Sequence, residues 1–118
     1  MALFLSTFVN KVDKKGRVSV PASFRSALAQ QTFPGIILFP SYKVAALEGC
    51  GIDRMQHLSD SIDHMDLFSE EQDELTTSIF ADAHQLSFDG DGRVILPETL
   101  RHYAGINGQA TFVGRGAT

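Results

Sequence analysis

Asp13–Arg25 reads DKKGRVSVPASFR, and seventy-six residues later Asp89–Arg101 reads DGDGRVILPETLR. Six of the thirteen positions are identical, and Val20/Leu96, Ser23/Thr99 and Phe24/Leu100 are close replacements. Average residue usage would give about one identity in such a window. A duplication within 118 residues leaves room for one compact domain, or for two small units sharing a core.

Each copy carries the same local signals. Alternating segments, STFVNKV and HQLSF, suit strands. A tight turn closes on Gly16 or Gly92, where glycine supplies the positive φ. Short strands Arg-Val-x-Val and Arg-Val-x-Leu follow, and Pro21 and Pro97 open short helices, the second stopped by Gly105. The chain then turns apolar and β-rich in GIILFP and QATFVG. Each unit therefore reads β–turn–β–α–β. Between them, Met55, Leu58, Ile62 and Met65 form one helical stripe. SEEQDELTTSIFADA opens with a capping box, Ser69 with Gln72, so two linker helices are expected. The first unit continues into a further strand within Ser41–Cys50, whereas the second stops at Thr118. The expectation is a chain truncated in its second unit. The boundaries read as 3–52 for the first unit, 53–82 for the helical linker and 83–118 for the incomplete second unit.

The net charge of −4 argues against nucleic acid until its distribution is considered. Lys11–Arg25 sums to +4, while Glu48–Asp82 holds ten acids against one Arg. A basic end beside an acidic middle is the footprint of a nucleic-acid surface. The lone Cys50 excludes an internal disulfide and reads as a small buried residue. No apolar run approaches a membrane span, and MALFLSTFVN lacks the basic n-region of a signal peptide, reading as an edge or core strand.

The doubled D-x-x-G-R-[V/L]-x-[V/L]-P-x-x-[F/L]-R motif resembles the MraZ family of bacterial transcription regulators, as does the opening LFLSTFVNKVDKKGRVSVPASFR. The resemblance runs from Leu3 to the end. It implies an α+β fold of two β-α-β swapped-hairpin (AbrB-like, SpoVT-AbrB) repeats, interleaved into a pseudo-symmetric double-psi-like barrel with linker helices. It also implies sequence-specific binding of double-stranded DNA, on direct repeats upstream of the protein's own division and cell-wall gene cluster. Assembly with itself into a ring-like homo-oligomer, and a cytoplasmic, nucleoid-associated location, follow from the same likeness. The motif residues fall on Asp13, Gly16 and Arg17, and on Asp89, Gly92 and Arg93. The second turn carries Gly90-Asp91 where the first has Lys14-Lys15, so it is far less basic.

Chemistry supports that assignment. A two-stranded ribbon fits the major groove, and Arg17 suits a bidentate guanine contact or a phosphate clamp. Lys11, Lys14 and Lys15 suit phosphates as point charges. Asp13 suits holding the turn and orienting Arg17. Each Asp-x-x-Gly-Arg also fits a plain hairpin turn with a surface ion pair, the more so at Arg93, flanked by Asp89 and Asp91. Arg25 and Arg101 fit either phosphate contacts or helix-surface ion pairs. Asp89–Leu100 fails as a calcium loop, with Arg93 fifth, Val94 sixth and Leu100 twelfth. His57, Asp60 and His64 share a helix face that reads as solvated rather than metal-binding, and His84 and His102 have no evident partners. Nothing matches a phosphate-cradling loop, a nucleophile elbow or a zinc motif. The expected protein is no enzyme and needs no cofactor, metal, membrane or small-molecule substrate. A second reading is an AbrB-like antitoxin or interaction module whose acidic helices bind a protein.

Overall fold

The computed structural model describes residues 2–65 and 69–118. The connection 66–68 within the expected linker, and Met1 of the expected first strand, lie outside the described residues.

The chain is a mixed α+β fold. In order it forms β1 (Thr7–Lys11), β2 (Arg17–Ser19), α1 (Ala22–Ala29), β3 (Ile36–Pro40), β4 (Leu47–Cys50), α2 (Ile52–Asp63) and α3 (Glu70–Leu75). A π-helical stretch, Thr76–Ala81, extends α3. Then come β5 (His84–Leu86), β6 (Arg93–Ile95), α4 (Glu98–Ala104) and β7 (Gln109–Val113). The expected strands, helices and linker helices all appear at their places in the sequence. Pro21 and Pro97 sit at the N-caps, one residue before the helices they were expected to open. Gly105 ends α4 in the left-handed region, at φ 65°. Only half of the expected capping box forms. Ser69 Oγ accepts from Gln72 N at 3.1 Å, but the Gln72 amide turns away and donates to Ile62 O at 3.4 Å.

Strand pairing departs from two self-contained hairpins. β1 and β2 share only the isolated bridge Val12↔Val18. Their ladders run to the other half of the chain: β1 with β7, β2 with β6, and β3 with β5, all antiparallel. β4 pairs with the other edge of β3. A three-residue strand is too short to hold a free hairpin. Crossing over sets Val18 against Val94 in register, both almost wholly buried. These two valines occupy the same place in the two copies of the phrase, so the pairing is symmetric about them. The other ladders obey the same symmetry. His84 follows Phe8 by 76 residues, while Phe112 follows its counterpart Leu38 by 74, in the pairs Phe8↔Phe112 and Leu38↔His84. The second αβ connection is thus two residues shorter than the first. Among the described residues the three small sheets do not close into one barrel.

β3 divides two cores. Ile36 and Leu38 face one side, with Val18, Val20, Phe24, Leu28, Val94, Leu96 and Leu100. Ile37 and Phe39 face the other, with Cys50, Met55, Ile62 and Ile79. A strand buried on both faces must be apolar throughout, which is why GIILFP shows no alternation. In the first core Phe24 sits edge-on to Phe4, Phe8 and Phe112, with centroids 5.1, 5.6 and 6.4 Å away. The π-helical stretch lets Ile79 reach the second core while the acids of α3 stay exposed.

Candidate nucleic-acid interface

The two turns have one geometry. Asp13 Oδ1 accepts the amides of Lys15 and Arg17, each at 2.9 Å, and Oδ2 accepts Arg17 Nε at 2.6 Å. Asp89 Oδ1 accepts Asp91 and Arg93 amides, again at 2.9 Å, and Oδ2 accepts Arg93 Nε at 3.1 Å. Gly16 and Gly92 sit at φ 85° and 74°, the left-handed backbone this loop needs. Hydrogen bonds from the Arg17 amide hold the Asp13 carboxyl below its usual 3.8. The Arg93 amide does the same for Asp89.

The arginines themselves differ. At Arg17 the aspartate takes Nε, which leaves the terminal nitrogens free of protein partners among the described residues. At Arg93 a second carboxylate, Asp91, takes one terminal nitrogen at 3.2 Å. Arg17 therefore presents an open fork and Arg93 a half-occupied one.

Both side chains leave one ribbon face. In the β2–β6 ladder Arg17 lies opposite Ile95, and Ser19 opposite Arg93. Val18 and Val94 point into the core, so Arg17, Ser19, Arg93 and Ile95 form the outer face. The two arginines stand diagonally across it, at roughly 7–8 Å between backbones. The exposed two-stranded ribbon is built from one strand of each half. Lys14 and Lys15 are exposed in the first turn, close to this face. Lys11 is exposed on the outer face of a different ladder, β1–β7, opposite Gln109.

Among the described residues, Arg25 and Arg101 do not form the helix-surface ion pairs that were one expectation for them. Arg25 donates to Val20 O, and its guanidinium covers Gly92 of the opposite turn: a Cβ there would lie 2.6 Å from Nε. Arg101 covers Gly16, where a Cβ would lie 3.0 Å from its Nε. Neither forms an ion pair among the described residues, and Arg101 Nε is buried without a partner. Each helix thus braces the other copy's turn. The signal was present in the sequence, since these arginines are among the six identities, but their target lies across the molecule. Asn10 was missed altogether. Its Nδ2 donates to Ser19 O at 2.6 Å and ties β1 to the ribbon. His57, Asp60 and His64 are all exposed, and no group of three metal-ligating side chains occurs among the described residues. No helix of the described residues is long and apolar enough to cross a membrane.

The sequence profile of the family described as "MraZ protein, putative antitoxin-like" matches residues 79–117. The chain is 53% identical over 116 residues to a protein of Rickettsia akari (strain Hartford) named "Transcriptional regulator MraZ", covering 98% of this chain and 78% of that one. A protein of the same name from Rickettsia africae (strain ESF-5) is 52% identical over 116 residues, with the same coverage. The one from Rickettsia bellii (strain OSU 85-389) is 51% identical over 117 residues, again covering 98% and 78%. The chain belongs to the MraZ family.

Proposed function

We propose that this MraZ-family chain is a sequence-specific DNA-binding transcriptional regulator whose reading head is the β2–β6 ribbon. The observation that carries the reading is the register that puts Arg17 and Arg93 on one outward face. Arg17, held at Nε by Asp13, is set to fork onto guanine O6 and N7. Lys11, Lys14 and Lys15 meet phosphates. Asp89, Gly92 and Arg93 repeat the turn as a weaker, self-neutralised contact. The names of the relatives support regulation of transcription.

The finer parts of the reading are proposals of the same kind. The DNA consists of direct repeats ahead of the protein's own division and cell-wall genes. Residues 3–52 and 83–118 are the two AbrB-like repeats, 53–82 their linker, and their crossed ladders derive from a swapped-hairpin barrel. Several copies join in a ring, so that weak contacts to successive repeats add as avidity. The exposed Leu3, Leu5, Val9 and Val113 around the β1–β7 ladder support that self-association. The protein works in the cytoplasm at the nucleoid, with no catalytic step.

Fluorescence anisotropy tests the reading, with duplex DNA from upstream of the protein's own gene and a scrambled control at two salt concentrations. Tight, salt-sensitive binding to the native duplex alone, lost in Arg17→Ala, is expected. Equal weak binding to both duplexes overturns it. The second reading, a protein-binding antitoxin-like module, has the description of the matching family in its favour. It predicts that Arg17→Ala leaves partner capture by the acidic helices intact.

A further inference from the structure

We infer that Ile95 determines specificity on this ribbon, by packing against the 5-methyl group of a thymine one or two base pairs from the base read by Arg17. The inference rests on the DNA-reading role proposed above.

Alternation along β6 sends Val94 and Leu96 into the core and Ile95 outward, where it is 60% exposed. The other outward residues of the ribbon, Arg17, Ser19 and Arg93, are polar. A branched aliphatic side chain among them gains nothing from water and gains free energy only where a partner surface is itself apolar. On the floor of the major groove the apolar group on a base edge is the thymine methyl. Geometry allows the contact. Directly opposed residues of an antiparallel pair have Cβ atoms about 4.5–5.5 Å apart. Bases along one strand rise about 3.4 Å. With Arg17 on a guanine, Ile95 falls one or two base pairs away. The two copies of the phrase differ at this place: the counterpart of Ile95 is Ser19, which stands beside Arg93. The better-freed arginine is thus the one with the apolar neighbour. The other exposed aliphatic residues, Leu3, Leu5, Val9, Val44 and Val113, belong to β1, β7, the segment before β1 and the β3–β4 connection, not to this ribbon.

The test uses the full chain and the duplex it enriches from a randomised pool. Each thymine is replaced in turn by deoxyuridine, which removes the methyl group alone. Wild type should lose about fourfold in affinity at one position, the worth of one buried methyl group. Ile95→Ser should lose about as much on the thymine duplex and nothing further at that uridine, while Ile95→Val keeps the sensitivity. Circular dichroism confirms that the variants fold, as expected for an exposed side chain. If no uridine affects wild type, or the two losses add independently, the inference is overturned; Arg17→Ala still abolishing specific binding would then leave the DNA reading standing. Specific binding that survives Arg17→Ala removes Arg17 as the reading residue, and with it the placement of Ile95 on which this inference rests; equal weak binding of wild type to enriched and scrambled duplexes overturns the DNA reading itself.

Discussion

Asp13 divides its work between two oxygens, one gathering the amides of the turn and one aiming the arginine that follows. Because the folded carboxyl titrates below 3.8, its contribution is fully present above the unfolded value. It is lost only as pH falls through the lower, folded one. The Lys15 and Arg17 amide signals in NMR should therefore hold still from pH 8 to pH 5 and move only at more acid pH. A midpoint above the ordinary 3.8 would contradict this geometry. Gly16 is bound to its backbone: φ 85° strains any L side chain, and a Cβ would lie 3.0 Å from Arg101 Nε and 3.1 Å from Leu96 O, so a neighbour must give way. Gly16→Ala should cost about 1–3 kcal/mol in urea unfolding, and an unchanged midpoint would refute the left-handed turn. Burial pushes the Cys50 thiol up to about 12. Native protein at pH 8 should resist thiol reagents that label it at once in urea.

At the level of elements, the two turns are one structure with two electrostatic characters. The first exposes Lys14 and Lys15, and the second puts Gly90 and Asp91 in their places. Replacing Lys14-Lys15 by Gly-Asp should leave the fold intact, because neither lysine side chain has a hydrogen-bond partner among the described residues. The slope of log K against log salt should fall by about 1.8, two phosphate contacts at roughly 0.9 each. A slope unchanged by the swap would remove these lysines from the interface. Helix α1 shows the other side of element design. Its Leu28 has no exposed surface, and Leu28→Ala should destabilise by about 2–5 kcal/mol.

Across the whole molecule, the consequence of crossed ladders is that the halves hold each other's strands, β3–β4 being the one ladder within a half among the described residues. β1, β2 and β3 all find partners in the second half. Leu100→Ala, in α4, should accordingly lower hydrogen-exchange protection in β2 as much as in β6, read residue by residue by NMR. Loss confined to the second half would mean two independent units. Tyr103, on α4, also donates to Ser41 O at the end of β3, a further tie between halves.

Much of this was legible in the residues. Gly16, Gly92 and Gly105 marked left-handed backbone, Pro21 and Pro97 marked helix starts, and Met55, Leu58 and Ile62 marked the inward face of α2, with Met65 falling just beyond its end. The Asp-x-x-Gly-Arg turn could be read because all its bonds close within five residues. Periodicity and turn chemistry are local, so one copy of a phrase displays them as well as two. What the sequence could not say is which strand meets which, because hydrogen-bond partners are chosen by the burial that the whole chain achieves. Arg25 and Arg101 were visible as identities, but their contacts with Gly92 and Gly16 were not, since those targets lie 67 and 85 residues away. The sequence determined two matching loops, each holding an arginine. Tertiary structure alone decided that both arginines share one ribbon, because burying Val18 against Val94 requires β2 to pair with β6.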